Sequence, residues 1–404
     1  MDIPSVQTQS EWASIYTMHE SSLSKANIHI GSLENLSTPM SKGVALLAHE
    51  AGNISELTLS VEKVVAPASS VIVTELMNRP SNHWQLTLGD VTATRFGGIV
   101  MLGQKLSHLT FSMNALHLVS TSDSMASMNG MIGLVDDDGV LEHAKLQFNE
   151  VGPSDPLYND AQCALGFYSI ANRVSDIDLK IGKAECAALD VFAKILEKSA
   201  VERVNVDAGE LWATGDLNII ANEIDSDGIL NESTFYVDKA VGNVVSVMNI
   251  VNSALSVTDV AIGGGFYSYK AEESENRITN GFVTALRTSS MNMTRVVTSP
   301  KFYVSTGDQK NLESYQPTAV FPMVYGSIEP SPQLTIAGEH QYYLSRDGSE
   351  VVSKSDSILT QFRAYKLSEV GEVVESLGGK DAGWTTRSIG GETIPWRIFD
   401  TADE

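Results

Sequence analysis

Apolar and polar residues alternate along much of the chain, most clearly between Ile54 and Val135. The run Leu57-Thr58-Leu59-Ser60-Val61 shows the strict alternation that is typical of a strand with one buried face. Similar runs follow at intervals of roughly 8–14 residues, at residues 70–74, 84–88, 98–102, 108–112, 116–120 and 131–135. Strands at this spacing, with no helical pattern between them, predict a mainly β chain built from sandwiches or barrels.

The amino-terminal segment shows helical spacing instead. Thr8 and Glu11 form a capping-box pattern. The residues that follow place large side chains at i, i+3 and i+4 of a helix, namely Trp12, Ile15 and Tyr16. This pattern predicts a helical arm over residues 1–26 with an aromatic face.

A second helical pattern lies in the middle of the chain. Its apolar residues recur three and four positions apart, at Ala188, Val191, Phe192, Ile195 and Leu196. We therefore predict an amphipathic helix over residues 181–205 that connects two β-rich blocks.

These elements divide the chain into two jelly-roll-like β-sandwich domains, residues 27–180 and residues 206–367. Residues 368–404 differ from both, because glycine pairs interrupt the strand pattern there. This segment is predicted to be an extended, glycine-rich C-terminal tail. Neither block shows an internal repeat of fixed period.

Charge limits the partners of this chain. Its 404 residues include 50 acidic and 27 basic side chains, for a net charge of −23. A groove that follows nucleic-acid phosphates needs clustered Lys and Arg, and the densest basic spacing, residues 354–366, is interleaved with acidic residues. Strong direct nucleic-acid binding and binding to an anionic membrane surface are therefore disfavoured.

The two cysteines, Cys163 and Cys186, are too few for a disulfide framework and form no CxxC motif. We predict two buried or half-buried free thiols. The amino terminus lacks the basic and apolar regions of a signal peptide. No apolar run has the length of a membrane-spanning helix.

Catalytic and cofactor motifs are absent from the sequence: there is neither a Gly-x-Ser-x-Gly elbow nor a phosphate-binding loop. We therefore expect neither enzymatic activity nor a cofactor. Of the eight histidines, His108 and His117 lie on two successive predicted strands. Two such residues do not define a zinc site, which needs three or four converging ligands.

One acidic turn is a candidate cation site. Asp136, Asp137 and Asp138 precede Gly139, and three adjacent carboxylates repel one another. A divalent cation at an interface would relieve that repulsion. The alternative is a solvated turn that binds nothing.

In construction the chain resembles the jelly-roll coat proteins of virions. The shared features are many short strands, an amphipathic amino-terminal arm, surfaces rich in Ser, Thr and Asn, a glycine-rich aromatic tail and proline-punctuated loops such as residues 321–332. The resemblance implies a capsid or other virion structural protein that self-assembles into a homo-oligomer. It also implies location in the virion after synthesis in the host cytoplasm.

Two other functions remain open. A receptor-binding or tail-fibre-type module would use loops at one end of a sandwich. A viral movement-type protein is the smaller alternative, because residues 130–136 resemble its apolar strand ending in Leu-x-Asp.

Self-assembly would require apolar anchors between copies of the chain. Large side chains near the two termini are the candidates, because leaving them in water is costly: Trp12, Ile15, Tyr16, Trp384, Trp396 and Phe399.

Overall fold

The computed structural model describes the backbone of residues 1–8, 12–16, 22–35, 43–51, 53–76, 79–120, 125–155, 160–225 and 227–269, and of eight later strands between residues 280 and 396. Within these ranges the chain is nearly all strand and contains no helix. It divides into two compact units, residues 1–200 with 204–214, and residues 201–203 with 215–404.

The strands of the first unit pair in parallel with strands one turn later in the chain, as β3 does with β5 and β7 with β10. In chain order they are β1 (Asp2–Thr8), β2 (Trp12–Tyr16), β3 (Ser22–Asn35), β4 (Gly43–Ala51), β5 (Asn53–Leu76), β6 (Ser81–Leu102), β7 (Lys105–Leu118), β8 (Ser127–Asn129), β9 (Ile132–Val135), β10 (Val140–Pro153), β11 (Gln162–Ala164), β12 (Phe167–Ile170), β13 (Arg173–Cys186), β14 (Ala188–Asp190), β15 (Ala193–Leu196) and β16 (Ala200–Ala213).

The second unit repeats the parallel pattern, with β17 on β19 and β18 on β20. Antiparallel pairs occur later, in β23 with β24, β25 with β26, and β27 with β28. Its strands are β17 (Asp216–Ile224), β18 (Gly228–Gly242), β19 (Val244–Val251), β20 (Leu255–Ser268), β21 (Asn280–Leu286), β22 (Met291–Thr294), β23 (Val297–Ser305), β24 (Tyr315–Pro317), β25 (Tyr365–Leu367), β26 (Val373–Ser376), β27 (Thr385–Ile389) and β28 (Glu392–Trp396).

The architecture is a parallel β-solenoid of about eight turns. The prediction of two jelly-roll-like β-sandwich domains joined by an amphipathic helix is therefore wrong. Jelly rolls pair their strands antiparallel, whereas the long strands here pair in parallel with the preceding and following turns. We call each turn a coil.

Both predicted helices are also wrong where the structure describes them. Trp12–Tyr16 is a strand that pairs in parallel with β4. Residues 181–205 contain the end of β13, the short strands β14 and β15, and the start of β16. Val191 and Phe192, which lie between β14 and β15, are both fully buried. Because two consecutive residues face inward, the alternation of buried and exposed positions is interrupted between β14 and β15. The apolar residues on either side are then spaced as they would be in a helix.

The core of the first unit consists of apolar side chains stacked at equivalent positions of successive coils. One stack runs through β5, β6, β7, β10 and β13, and all of its members are buried: Leu59, Leu86, Phe111, Leu146 and Leu179. A neighbouring stack contains Phe148, whose ring centroid lies 5.4 Å from that of Phe111. Alternation within each strand thus supplies the core, and parallel pairing aligns it from coil to coil.

The strands β3, β5, β6, β7, β10 and β13 each contain a non-glycine residue in the left-handed region. The φ angles are 52° to 58° at Lys25, Glu56, His83, His108, His143 and Asp176. Ladder pairing skips these positions, because Ser107 pairs with Glu142 and Leu109 pairs with Ala144. The result is a local irregularity of the backbone that recurs at the same position of successive strands without changing the register, and His and Asp are among the residues that tolerate this conformation best.

The two cysteines are joined. Cys163 in β11 and Cys186 at the end of β13 form a disulfide with a Cα–Cα distance of 6.2 Å. Both residues are buried, so the prediction of free thiols is wrong. The bridge covalently links two adjacent coils of the first unit.

Candidate binding surface

Outward-facing residues of β5, β6, β7 and β10 form an array of hydrogen-bonding groups that is neutral except at Lys145, the β10 partner of Thr110. Parallel register aligns them into two rows, with spacing between neighbouring strands of about 4.8 Å. We call this array the polar surface, and its residues are Thr58, Ser60, Gln85, Thr87, Thr110, Ser112 and Gln147. Hydroxyl and amide groups can both donate and accept hydrogen bonds.

Burial holds the polar surface in place. Gln85, Thr87, Thr110 and Gln147 are exposed, while the residues that alternate with them are buried. The backbone that carries each polar side chain is therefore fixed by a strand whose opposite face is packed in the core. A ligand that binds there orders exposed side chains but does not have to order the backbone.

A row of amides and carboxylates lies beside the polar surface. Asn114 Nδ2 donates to Asp90 Oδ1 at 2.8 Å, and Asn149 Nδ2 donates to Asn114 Oδ1 at 3.4 Å. Gln147 Nε2 donates to Asn149 Oδ1 at 2.9 Å. These bonds connect β6, β7 and β10 and order the border of the surface.

Three histidines lie along the other border. Ring centroids of His83 and His108 are 4.7 Å apart, and those of His108 and His143 are 5.0 Å apart. The rings are nearly parallel, with interplanar angles of 19° and 15°. All three residues are exposed. We call this group the histidine stack.

An ion pair lies next to the histidine stack. Lys105 Nζ is 2.6 Å from Glu142 Oε2. The hydrogen bond from Lys105 holds the pKa of the Glu142 carboxyl below its ordinary value, with further favourable charge interactions from Arg173 and His143. Partial desolvation of Glu142 opposes this effect.

Replacing Glu142 with glutamine is expected to lower the free energy of unfolding at pH 7 by less than about 1 kcal/mol, because the pair is partly exposed. A depressed folded-state pKa stabilises the fold above the unfolded-state pKa of about 4.3 and stops doing so as pH falls through the folded-state value. The difference between wild type and Glu142→Gln should therefore shrink at pH 3. Urea unfolding at both pH values measures it.

Glu150→Gln is the matched control for this prediction, since Glu150 is an exposed carboxylate of the same strand. Its effect on unfolding should be smaller than that of Glu142→Gln at pH 7. A difference between wild type and Glu142→Gln that grows toward pH 3 would contradict the assignment.

The predicted acidic cation site is a tight turn between β9 and β10. Gly139 N donates to Asp136 O at 2.8 Å, and Asn172 Nδ2 donates to Asp137 O at 2.5 Å. Asp137 and Asp138 are exposed. Among the described residues no group of three His, Cys, Asp or Glu could hold a metal ion. A cation held jointly with another copy of the chain stays a prediction.

The predicted interface anchors are not brought together by any described contact. Trp12, Ile15 and Tyr16 lie in β2 and Trp396 ends β28; the structure describes only the backbone of these residues. Trp384 and Phe399 lie outside the described residues. Their role in self-assembly stays a prediction.

The histidine stack was not predicted from the sequence. The sequence placed His108 and His117 on successive strands, whereas both lie in β7. The residues that align with His108 are His83 and His143, which are 25 and 35 residues away. Alternation could identify Gln85 and Thr110 as outward-facing. It could not show that they are neighbours.

The sequence matches no protein-family model, and no similar protein was found among curated proteins or among solved structures. Where the structure describes the chain, no helix has the length and apolar character needed to cross a membrane. The features that bear on function are the polar surface and the histidine stack, which both lie in the first unit.

Proposed function

We propose that this protein is a non-catalytic binding module of the receptor-binding or tail-fibre type, and that its polar surface binds an extended glycan. The polar surface carries this proposal. It presents hydroxyl and amide groups on four successive strands, and seven of the eight positions in its two rows are uncharged, the eighth being Lys145, although the chain carries 50 acidic side chains.

A glycan matches this chemistry better than other ligands do. Sugar hydroxyls donate and accept hydrogen bonds, as do the side chains of Thr, Ser and Gln. The repeated spacing of the strands favours a polymer, because successive units of the polymer can contact successive coils. Linked contacts of this kind raise the overall affinity. All residues of the polar surface lie on strands, so no loop is needed to form the binding site.

The disulfide supports a location outside the reducing cytosol. Bridges such as Cys163–Cys186 form and persist in oxidising environments, whereas cytosolic thiols are kept reduced. A surface-exposed or secreted binding module meets its glycan ligands in such an environment. A capsid role is not proposed, because the jelly-roll resemblance on which it rested does not hold for a parallel solenoid.

Screening the purified chain on a glycan array at pH 7.5 and measuring the best ligand by calorimetry tests the proposal. Replacing Gln85 and Gln147 together with alanine should weaken binding about tenfold or more. Each lost hydrogen bond contributes about 0.5–1.5 kcal/mol, and these two side chains can each form several.

Gln162→Ala is the matched control. Gln162 is an exposed glutamine of β11, a strand that does not contribute to the polar surface. Its replacement should leave affinity unchanged. If no glycan binds wild-type protein, or if both variants bind as wild type does, the proposal is wrong.

A further inference from the structure

Charged groups of both signs surround the histidine stack. Lys105, Lys145 and Arg173 are cationic, and the nearby carboxylates are Glu56, Glu142, Asp176 and Asp178. Three cations and four carboxylates leave one negative charge while the imidazoles are neutral. Three protonated imidazoles would change this local balance to two positive charges.

Several of these groups lie at measured distances from one another. His143 Nδ1 is 3.8 Å from Asp176 Oδ2, and Glu142 is paired with Lys105. Asp178 accepts a hydrogen bond from Asn205 Nδ2 at 2.9 Å. The carboxylates of Glu142, Asp176 and Asp178 thus have partners, and Glu56, at the position of β5 that aligns with His83, is the fourth carboxylate near the stack.

Protonation would also place like charges close together. Two imidazolium rings about 5 Å apart repel each other in water, and more strongly where solvent is partly excluded. A bound anion would remove this repulsion and accept hydrogen bonds from the N–H groups of protonated imidazole. The stack is therefore suited to anions once it is protonated.

We propose that the histidine stack is an acid-dependent binding site for the sulfate or carboxylate groups of an acidic glycan. Histidine is the side chain that changes charge between about pH 5 and 8. The stack borders the polar surface, so one polymer could place its hydroxyls on Gln85 and Thr110 and its anionic groups on the stack. This inference rests on the proposed function and specifies its ligand and its regulation by pH.

The glycan is favoured over a nucleic acid by the neighbouring polar surface. Tracking a phosphate backbone requires many cationic contacts, whereas the three cations near the stack are accompanied by four carboxylates, and Gln85, Thr87 and Thr110 are neutral. The net charge of −23 acts weakly at the site, since exposed charges farther away than about 8 Å are screened at physiological salt.

The test compares dextran sulfate, neutral dextran, inorganic sulfate and a DNA duplex as ligands of the full chain at pH 7.5 and pH 5.5. Wild-type affinity for dextran sulfate should rise about tenfold or more at the lower pH, because a tenfold change requires only about 1.4 kcal/mol. Affinity for neutral dextran should not change. Circular dichroism at both pH values checks that the fold is retained.

The informative variant is His83→Asn/His108→Asn/His143→Asn. Asparagine tolerates a left-handed φ and does not titrate, so this variant should remain folded and lose the rise in affinity. His29→Asn, at a half-exposed histidine of β3, is the matched control and should retain it.

An equal rise in the triple variant, or no rise in wild type, would overturn the inference. Equally tight binding of the DNA duplex at pH 5.5 would overturn the assignment to a glycan. Inorganic sulfate that binds as tightly as dextran sulfate would also overturn the assignment to a glycan, because the site would then bind an isolated anion. The variant Gln85→Ala/Gln147→Ala distinguishes failure of the proposed function from failure of this inference. If the proposed function is wrong, this variant binds every dextran with the affinity of wild type at both pH values.

Discussion

Replacing Trp84 with alanine is expected to lower the free energy of unfolding by about 3–5 kcal/mol. Trp84 is 1% exposed and occupies the inward position between Leu57 and Leu109 of the neighbouring coils. Its Nε1 donates to Ile54 O at 2.9 Å. The substitution opens a large cavity and leaves a buried carbonyl without this donor, and both effects destabilise the fold. Urea unfolding monitored by circular dichroism measures the loss.

Two further variants separate these contributions. Trp84→Phe removes the donor but keeps most of the apolar volume, so a loss of about 1–2 kcal/mol is expected. Val100→Ala, at a valine that is 43% exposed, should change stability by less than about 0.5 kcal/mol. If Trp84→Ala proves no more destabilising than Val100→Ala, the coil stacking described above is incorrect.

Removing the disulfide by Cys163→Ala/Cys186→Ala is expected to lower the free energy of unfolding by about 3 kcal/mol. The bridge closes a loop with a sequence separation of 23 residues, and the loss of chain entropy in the unfolded state gives this magnitude. It also joins two coils at a buried position, so the reduced chain would unfold more readily there. Denaturant unfolding measures the difference.

Reducing agent provides the control for the disulfide. It should shift the unfolding midpoint of wild type toward that of the double alanine variant and leave the variant unchanged. Two results together would contradict the bridge. The reductant would leave both unfolding midpoints unchanged, and alkylation of unfolded wild type would detect free thiols.

Strand positions could be predicted from the sequence because alternation is a local property. Leu57–Val61 and residues 70–74 were predicted as two strands, and both lie within the single long strand β5. Alternation identifies which residues face inward, but it does not identify the partner strand. The same inward pattern fits an antiparallel sandwich and a parallel solenoid, and the wrong choice followed from that ambiguity.

The solenoid repeat was hidden by its variable length. Trp84 aligns with Leu57, 27 residues earlier, and with Leu109, 25 residues later, whereas Leu109 aligns with Ala144, 35 residues later. A search for a fixed period misses such a pattern. The connections between strands absorb most of the differences in length, and register shifts within strands, such as that between Ala66 and Ser69 of β5, absorb others.

The candidate site depends on the same long-range register. The sequence identified neither the histidine stack nor the Cys163–Cys186 bridge, because each joins residues of different coils. The acidic turn was found from sequence because Asp136, Asp137 and Asp138 are adjacent, and an adjacent group needs no tertiary structure to bring it together.

The sequence by itself determined that Leu59, Leu86 and Phe111 would be inward strand residues, since hydrophobic alternation requires one buried face. Only the tertiary structure decided that these strands pair in parallel, one coil on the next. Backbone hydrogen bonding between strands is nearly independent of side-chain identity, so the choice of partner depends on how the whole chain packs. That choice placed His83, His108 and His143 side by side along one border of the polar surface.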